Sequence, residues 1–207
     1  AVMKAWEAMR VMTKDLCRPF SQKRNGMVVG EGAAIFVLER PEDLKARGHS
    51  PLAHLIGYGA SSDGQHMLRP TPSSIASAMT MAMNDAGVEA RDISYVNAHG
   101  TATIANDIAE SRAMGIAFGE DIGRSVPISS TKPIHGHAMG AAGGIELSAT
   151  ILAMQHGKLP ANGNWLGPDE ECPVNVVTAT KEFDISVAMT NSFAFGGSNV
   201  SIILARD

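Results

Sequence analysis

Cysteine is scarce in this chain: among 207 residues only Cys17 and Cys172 carry a thiol, and neither has the neighbours of a zinc or redox motif. Two isolated thiols suit a reducing compartment, where such residues mostly act as small buried hydrophobes. Long apolar runs are missing, so nothing approaches the ~20 residues of a membrane span. The opening segment AVMKAWEAMRVMTKD carries Lys4 and Arg10 but no continuous apolar core, which argues against a signal peptide. An excess of positive charge is also lacking. Lys and Arg number 17 against 21 Asp and Glu, a net charge of -4 that gives no reason to invoke nucleic acid or an anionic membrane as partner. No GxxxxGK[ST] phosphate loop, internal repeat or low-complexity tract is present. The expectation is a cytoplasmic protein. Because the chain opens on Ala in what reads as mid-helix, it is expected to be part of a longer one.

What the sequence has is an ordinary globular balance, 44% hydrophobic and 18% charged, in a length that supports one sizeable domain. Its 21 glycines concentrate in three polar segments set in apolar sequence: NAHGTATIAND from Asn97, STKPIHGHAMGAAGG from Ser130 and NSFAFGGSN from Asn191. Such clusters mark tight turns and close backbone approaches rather than a linker.

The hydrophobic periodicity predicts a helix from Ala1 to about Thr13, a buried strand over Ala33–Leu38, and a short helix in PEDLKARGH ended by Gly48. A strand follows around Ala53–Gly59. Thr71 and Pro72 then open a helix that stops near Gly87. Strands are expected at ISYVN from Ile93, VPISS from Val126, VNVVT from Val174, SVAMTN from Ser186 and VSIILA from Val200, with helices over Asp107–Phe118 and Gly144–Gln155. Strands alternating with helices and ending in strand-rich sequence predict an α/β layered fold with antiparallel pairing at the end of the chain. The Gly144–Gln155 helix is expected deep in the molecule.

Each glycine-rich segment sits where a strand ends, the usual place for chemistry in an open α/β sheet. His99 follows ISYVNA, and Thr101 and Thr103 alternate after it, able to present two hydroxyls to an extended ligand or simply to cap a helix. Lys132 and His137 add a cation and a hydrogen-bond donor beside the small-residue run from Gly140. His135 and His137 lack a third ligand at convincing spacing, so metal catalysis is not expected. Asp107, Glu110 and Glu146 are available to orient the cations or to sit as solvated helix carboxylates. Phe195 precedes Gly196 and Gly197, either as a staple over a turn or as a pocket wall able to swing. No equally convincing nucleophile accompanies these groups.

Taken in order, FSQKRNGMVVGEG, NAHGTATIAND, TKPIHGHAMGAAGGIE and NSFAFGGSN resemble the second half of the β-ketoacyl-acyl-carrier-protein synthases, condensing enzymes of fatty acid and polyketide synthesis, with the bacterial type II elongating enzymes nearest in look. The resemblance runs from Phe20 to the C-terminus. It implies the C-terminal portion of a duplicated αβαβα thiolase-like architecture, with residues 1–40 ending the N-terminal half and residues 41–207 forming the C-terminal half. By the same resemblance His99, His137 and Lys132 are catalytic, Thr101 and Thr103 hold a phosphopantetheine arm, and Phe195, Gly196 and Gly197 form a gate. Glu110 and Asn191 are supporting residues, and Asn97, Glu146 and Asn191 lie near a structural cation site found in some members.

The family's nucleophilic cysteine has no counterpart here, since neither KDLCRPF nor the surroundings of Cys172 match its motif. The resemblance therefore implies a missing N-terminal portion that carries it, and a chain inactive alone. No cofactor is implied. The implied partners are acyl carrier protein, the missing portion, and a second copy in a homodimer of the full-length protein. Asn25 stands where the family usually has Asp, and Ala194 stands where the gate usually has Gly, which could stiffen it. Two rivals remain: a non-catalytic chain-length-determining subunit of a heterodimer, and a thiolase-like degradative enzyme, whose C-terminal cysteine signature Cys172 is too far from NSFAFGG to supply.

Overall fold

The computed structural model describes residues 2–206. In chain order the elements are α1 (Val2–Ala8), α2 (Pro41–Ala46), β1 (His54–Ser62), α3 (Pro72–Ala86), β2 (Tyr95–Asn97), α4 (Ile104–Phe118), α5 (Glu120–Ser125), β3 (Pro127–Ser129), α6 (Lys132–His135), α7 (Ala142–His156), β4 (Lys158–Leu159), β5 (Asn175–Val176), β6 (Lys181–Glu182), β7 (Val187–Ala194) and β8 (Ser198–Ala205).

Glycine and proline punctuate these elements as their backbone chemistry requires. Pro72 starts α3, where its missing N–H leaves no bond unmade, and Gly87 ends it at φ +65°, a left-handed conformation open to glycine. Gly157 ends α7 in the same way.

Six strands form one sheet in the order β1-β8-β7-β2-β3-β5, while β4 and β6 pair apart from it. β7, β2, β3 and β5 run parallel, and β8 and β1 complete the sheet antiparallel. Side chains alternate across the strands, so consecutive residues serve opposite layers. Val96 and Met189 join Ile75, Met79 and Met114 in a core under α3 and α4. Tyr95, Ala188 and Leu204 join Ala153 and Met154 of α7 in a second core on the other face. Helix, sheet and helix thus stack in three layers, and the polar ends of β2 and β3 are the buried residues Asn97 and Ser129.

Several expectations need correction. Ala33–Leu38 is not a strand: the segment is extended and exposed, with Ile35, Val37 and Leu38 at 94%, 84% and 76% exposure. Strand propensity is fit to a paired, half-covered surface, and no strand pairs with this segment among the described residues. The first helix closes at Ala8, and Arg10 has φ 56°, which ends it well short of Thr13; Ala1 lies outside the described residues. α4 starts three residues before Asp107, β1 runs on to Ser62, and α5 and α6 were not anticipated. The helix over Gly144–Gln155 is α7, extended at both ends. It covers the sheet with one side only, and Leu152 on the other side is 52% exposed. No helix among the described residues is long and apolar enough to cross a membrane.

A helix apolar on all sides is built to be covered on all sides. The extended 31–38 segment packs along the start of α7, where a β-carbon at Gly144 would come within 2.9 Å of the Ala34 Cβ. Its other side, with Ile35, Val37 and Leu38, is bare. Covering each of these is worth about 1.5–3 kcal/mol. The 207-residue chain on its own is therefore expected to self-associate and to bind a hydrophobic dye, and an Ile35→Lys/Val37→Asp pair to reduce both. Sedimentation velocity with dye titration checks this. A dye-silent monomer would contradict it.

Candidate active site

β2 and β3 lie side by side and end together, so the loops leaving them meet. His99 leaves β2 through Gly100, whose φ of +39° and close approach to Ser130, 2.6 Å from a would-be β-carbon, leave no room for a side chain. This turn is fixed from beneath. Glu110 on α4 accepts the His99 N–H at 2.9 Å with one carboxylate oxygen and the Gly100 N–H at 2.8 Å with the other. Asn191 on β7 donates to the same carboxylate at 3.3 Å and accepts from Ser201 at 2.8 Å. Burial pushes the Glu110 carboxyl up to about 7, against the pull of its backbone donors.

His137 follows α6 and is held by a strap from far upstream. Its N–H donates to the Val28 carbonyl at 2.7 Å, and its carbonyl accepts the Gly30 N–H at 3.0 Å. Gly30 and Gly136 pass so closely that a β-carbon at Gly136 would sit 2.7 Å from the Gly30 Cα.

The two imidazoles meet with ring centroids 5.4 Å apart at 87°, edge to face. Lys132 lies behind them, fully buried. Its ammonium contacts the Glu146 carboxylate and the His99 carbonyl and sits 3.4 Å from His99 Nδ1. The Met139 N–H donates to His137 Nδ1 at 3.1 Å. A ring nitrogen that accepts carries no proton, so both neutral rings are held with their protons on Nε2. Neutrality follows from the surroundings. Desolvation, then the Lys132 charge, lowers His137 to about 3, and desolvation, Lys132 and His137 together hold His99 well below the ordinary imidazole range.

Both rings line a cavity of about 430 Å³ whose walls are mainly apolar, among them Met27, Met67, Leu68 and Phe193. Thr101 and Thr103 line it too, their hydroxyls 2.8 Å apart on one side as their alternation suggested. Phe195, Ala194 and Gly197 form part of the wall. Gly196 belongs to the same turn and donates its N–H to the Met67 carbonyl at 3.1 Å. Ala194 is the last paired residue of β7, opposite Ser198, and has no positive φ.

Other expected groupings are not assembled. Both ring nitrogens of His135 face oxygen atoms, Gly136 O at 2.7 Å and Thr131 Oγ1 at 2.9 Å, so it forms no metal pair with His137. Asp107 turns away from the histidines to Arg24 at 3.8 Å and the Phe20 N–H at 2.9 Å. The trio Asn97, Glu146 and Asn191 is split by the sheet. Asn191 points its side chain to the α4 face, whereas alternation turns Asn97 to the α7 face with Thr190, its partner in register. The Asn97 amide and the Thr190 hydroxyl are buried without hydrogen-bond partners, an oxygen set that fits a small hard cation or a water. No cluster of three or more His, Cys, Asp or Glu suited to a metal occurs among the described residues. Cys17, whose thiol contacts the Thr101 carbonyl at 3.7 Å, and Cys172 are both buried and neither lines the cavity, and burial pushes both thiols up to about 12, which suits packing and not nucleophilic attack.

Sequence reasoning missed three contributors. Phe193 packs its ring 5.3 Å from His99, and its position two residues before Phe195 in a strand was a usable signal. The Met139 N–H and Trp6 carried no such signal, since one acts through its backbone and the other lies 189 positions before Phe195, its ring partner.

Residues 52–165 match the family described as "Beta-ketoacyl synthase, C-terminal domain", and residues 1–44 match "Beta-ketoacyl synthase, N-terminal domain". The chain is 46% identical over 199 residues to "Nodulation protein E" of Rhizobium meliloti, covering 96% of this chain and 49% of that protein. It is 40% identical over 193 residues to "3-oxoacyl-[acyl-carrier-protein] synthase 2" of Staphylococcus aureus (strain COL), covering 92% and 46%. The solved structure titled "The ishigamide ketosynthase/chain length factor" superposes with a TM-score of 0.95 at 37% identity, over 100% of this chain and 51% of that one. The chain thus spans about half the length of these relatives. With this match along its whole length and the thiolase-like layered α/β fold that goes with it, the chain belongs to the β-ketoacyl synthase family of condensing enzymes.

Proposed function

We propose that the chain is the C-terminal portion of a 3-oxoacyl-carrier-protein synthase, in which residues 1–40 end one thiolase-like half and residues 41–207 form the other. In this reading an acyl group rides on a cysteine of the upstream portion, and a malonyl thioester enters the cavity of this one. The malonyl C–C bond to its carboxylate breaks, CO2 leaves, and the electron pair becomes an enolate whose charge rests on the thioester oxygen. The enolate carbon then attacks the acyl thioester, forming the new C–C bond and releasing the cysteine thiolate.

The observation that carries this reading is the pair of neutral imidazoles with both Nε2–H donors free at the cavity wall. Preorganised donors of this kind are what a developing enolate oxygen requires. Burial first, and then like-charge repulsion from Lys132, keeps them neutral, and the Lys132 ammonium steadies the His99 turn through its carbonyl. Thr101 and Thr103 serve the amides of the phosphopantetheine arm that brings the substrate on acyl carrier protein. The Asn97 and Thr190 oxygens would hold a structural cation that takes no part in the chemistry.

The test is the full-length protein with malonyl- and acyl-carrier protein, scored for CO2 and a 3-oxoacyl thioester in equal amounts. His137 is neutral above about 3, so its own protonation removes activity only as pH falls through that value, and any loss of decarboxylation between pH 8 and 5 is expected to come from the buried Glu110 and Asp107 carboxyls, at about 7 and 6, as the loops they hold loosen. A His137 imidazole NMR signal that titrates near 6.5 would mean an ordinary imidazole and would count against the assignment. Product formed only with a second, cysteine-bearing subunit present would favour the chain-length-determining role instead.

A further inference from the structure

Phe195 is the first residue of a three-residue connection between β7 and β8, followed by Gly196 and Gly197 at φ 84° and 83°. Two backbone hydrogen bonds tether this turn to the loop after β1: Gly196 N–H to Met67 O at 3.1 Å, and Asp63 N–H to Gly197 O at 3.1 Å. Space around the turn is uneven. A β-carbon at Gly197 would lie 2.6 Å from the Asp63 Cγ, whereas one at Gly196 would meet nothing within 4 Å. The Phe195 side chain is 43% exposed, and the ring that meets it is the indole of Trp6, with centroids 5.1 Å apart and planes tilted by 39°. Both rings stand on the wall of the cavity that ends at His99 and His137. Trp6 lies in the segment matching the N-terminal synthase domain and Phe195 at the end of β7 far beyond it, so this contact ties that segment to the β7–β8 turn.

We propose that Trp6 is a positioning residue that sets acyl-chain preference: its indole holds Phe195 in place, and an entering chain must part the two rings. A long acyl chain lays methylenes against the surfaces it uncovers and so replaces the lost ring contact. A short chain parts the rings and offers little in return. Trp6 thereby selects against short chains. The proposal rests on the condensing-enzyme reading above.

The experiment compares acyl-transfer rates of the full-length protein and its Trp6→Ala, Trp6→Leu and Trp6→Phe variants across four-, eight- and twelve-carbon acyl-carrier-protein donors. A tilted aromatic pair of this kind is worth about a three- to tenfold factor. Trp6→Ala and Trp6→Leu should therefore speed transfer of the four-carbon donor by about that much and change the twelve-carbon donor less than twofold. Trp6→Phe, which keeps a ring, should fall between them and wild type. The full-length protein labelled with 5-fluorotryptophan gives a readout separate from rates: the 19F resonance assigned to Trp6 by its loss in Trp6→Phe should shift in Phe195→Ala and shift again when wild type is loaded with a long acyl group. A short-to-long preference unchanged in all folded Trp6 variants, or a Trp6 resonance unmoved by loading, overturns the proposal while acyl transfer itself stands. Absence of any acyl transfer by wild type overturns the condensing-enzyme reading and this proposal with it.

Discussion

Full-length protein carrying His137→Ala is expected to release CO2 from malonyl-carrier protein about 100- to 1,000-fold more slowly than wild type, the usual loss when one oxyanion donor is removed. Several features make the effect large. The Nε2–H of His137 is committed by the Met139 N–H at its other nitrogen, the ring is kept neutral, and its backbone is clamped on both sides by Val28 and Gly30. The same clamp means that removing the ring leaves the loop in place, so KM for carrier protein should hold while kcat falls. That split identifies a donor to the reacting atoms. His137→Gln, which can place an N–H near the same point, should recover part of the rate. Unchanged decarboxylation kinetics in His137→Ala would refute the role.

The second large effect is on stability. Lys132→Ala leaves the Glu146 carboxylate at zero exposure with Ser192, 3.5 Å away, as its remaining side-chain donor. Breaking a buried pair from one side costs about 3–5 kcal/mol, because the surviving charge stays desolvated. Urea titration of the full-length protein reads this as a lower midpoint at similar slope. Lys132→Met combined with Glu146→Gln removes both charges and should regain much of the loss. Without the Lys132 charge, the pKa of His137 moves up, so the His137 imidazole NMR signal in the double variant should titrate at higher pH than in wild type. A single variant as stable as wild type would show that the ion pair contributes nothing.

How far the sequence disclosed this arrangement depended on whether the determinants were local. The α3 helix was legible to the residue because Pro72 and Gly87 mark its ends by backbone chemistry alone. The meeting of His99, His137 and Lys132 was legible from the motif match and from glycine-rich segments that each follow a strand, whereas the adjacency of those two strands, which brings the segments together, is seen only in the structure. The 33–38 segment misled because its composition describes the surface it is made to touch and not the conformation it holds here. Glu110 was read as a possible partner for cations and instead anchors two N–H groups of a turn, a role that depends on how α4 returns beneath β2. The split of Asn97 from Asn191 across the sheet was recoverable only with β2 and β7 known to be adjacent, since alternation along one strand does not say which face meets which helix.

The strap that holds His137 imposes an order on biosynthesis. Val28 and Gly30 are made about a hundred residues before His137, so at about 5–20 residues per second they wait roughly 5–20 s for the loop they will grip. During that interval the apolar stretch that follows them, around Ala34 and Phe36, has no α7 to lie along. The nascent chain must keep this early piece accessible to its late partner while shielding it from other chains. Slowing translation between the codons for Gly30 and His137 should therefore lower the yield of active protein through aggregation, even though the finished sequence is unchanged.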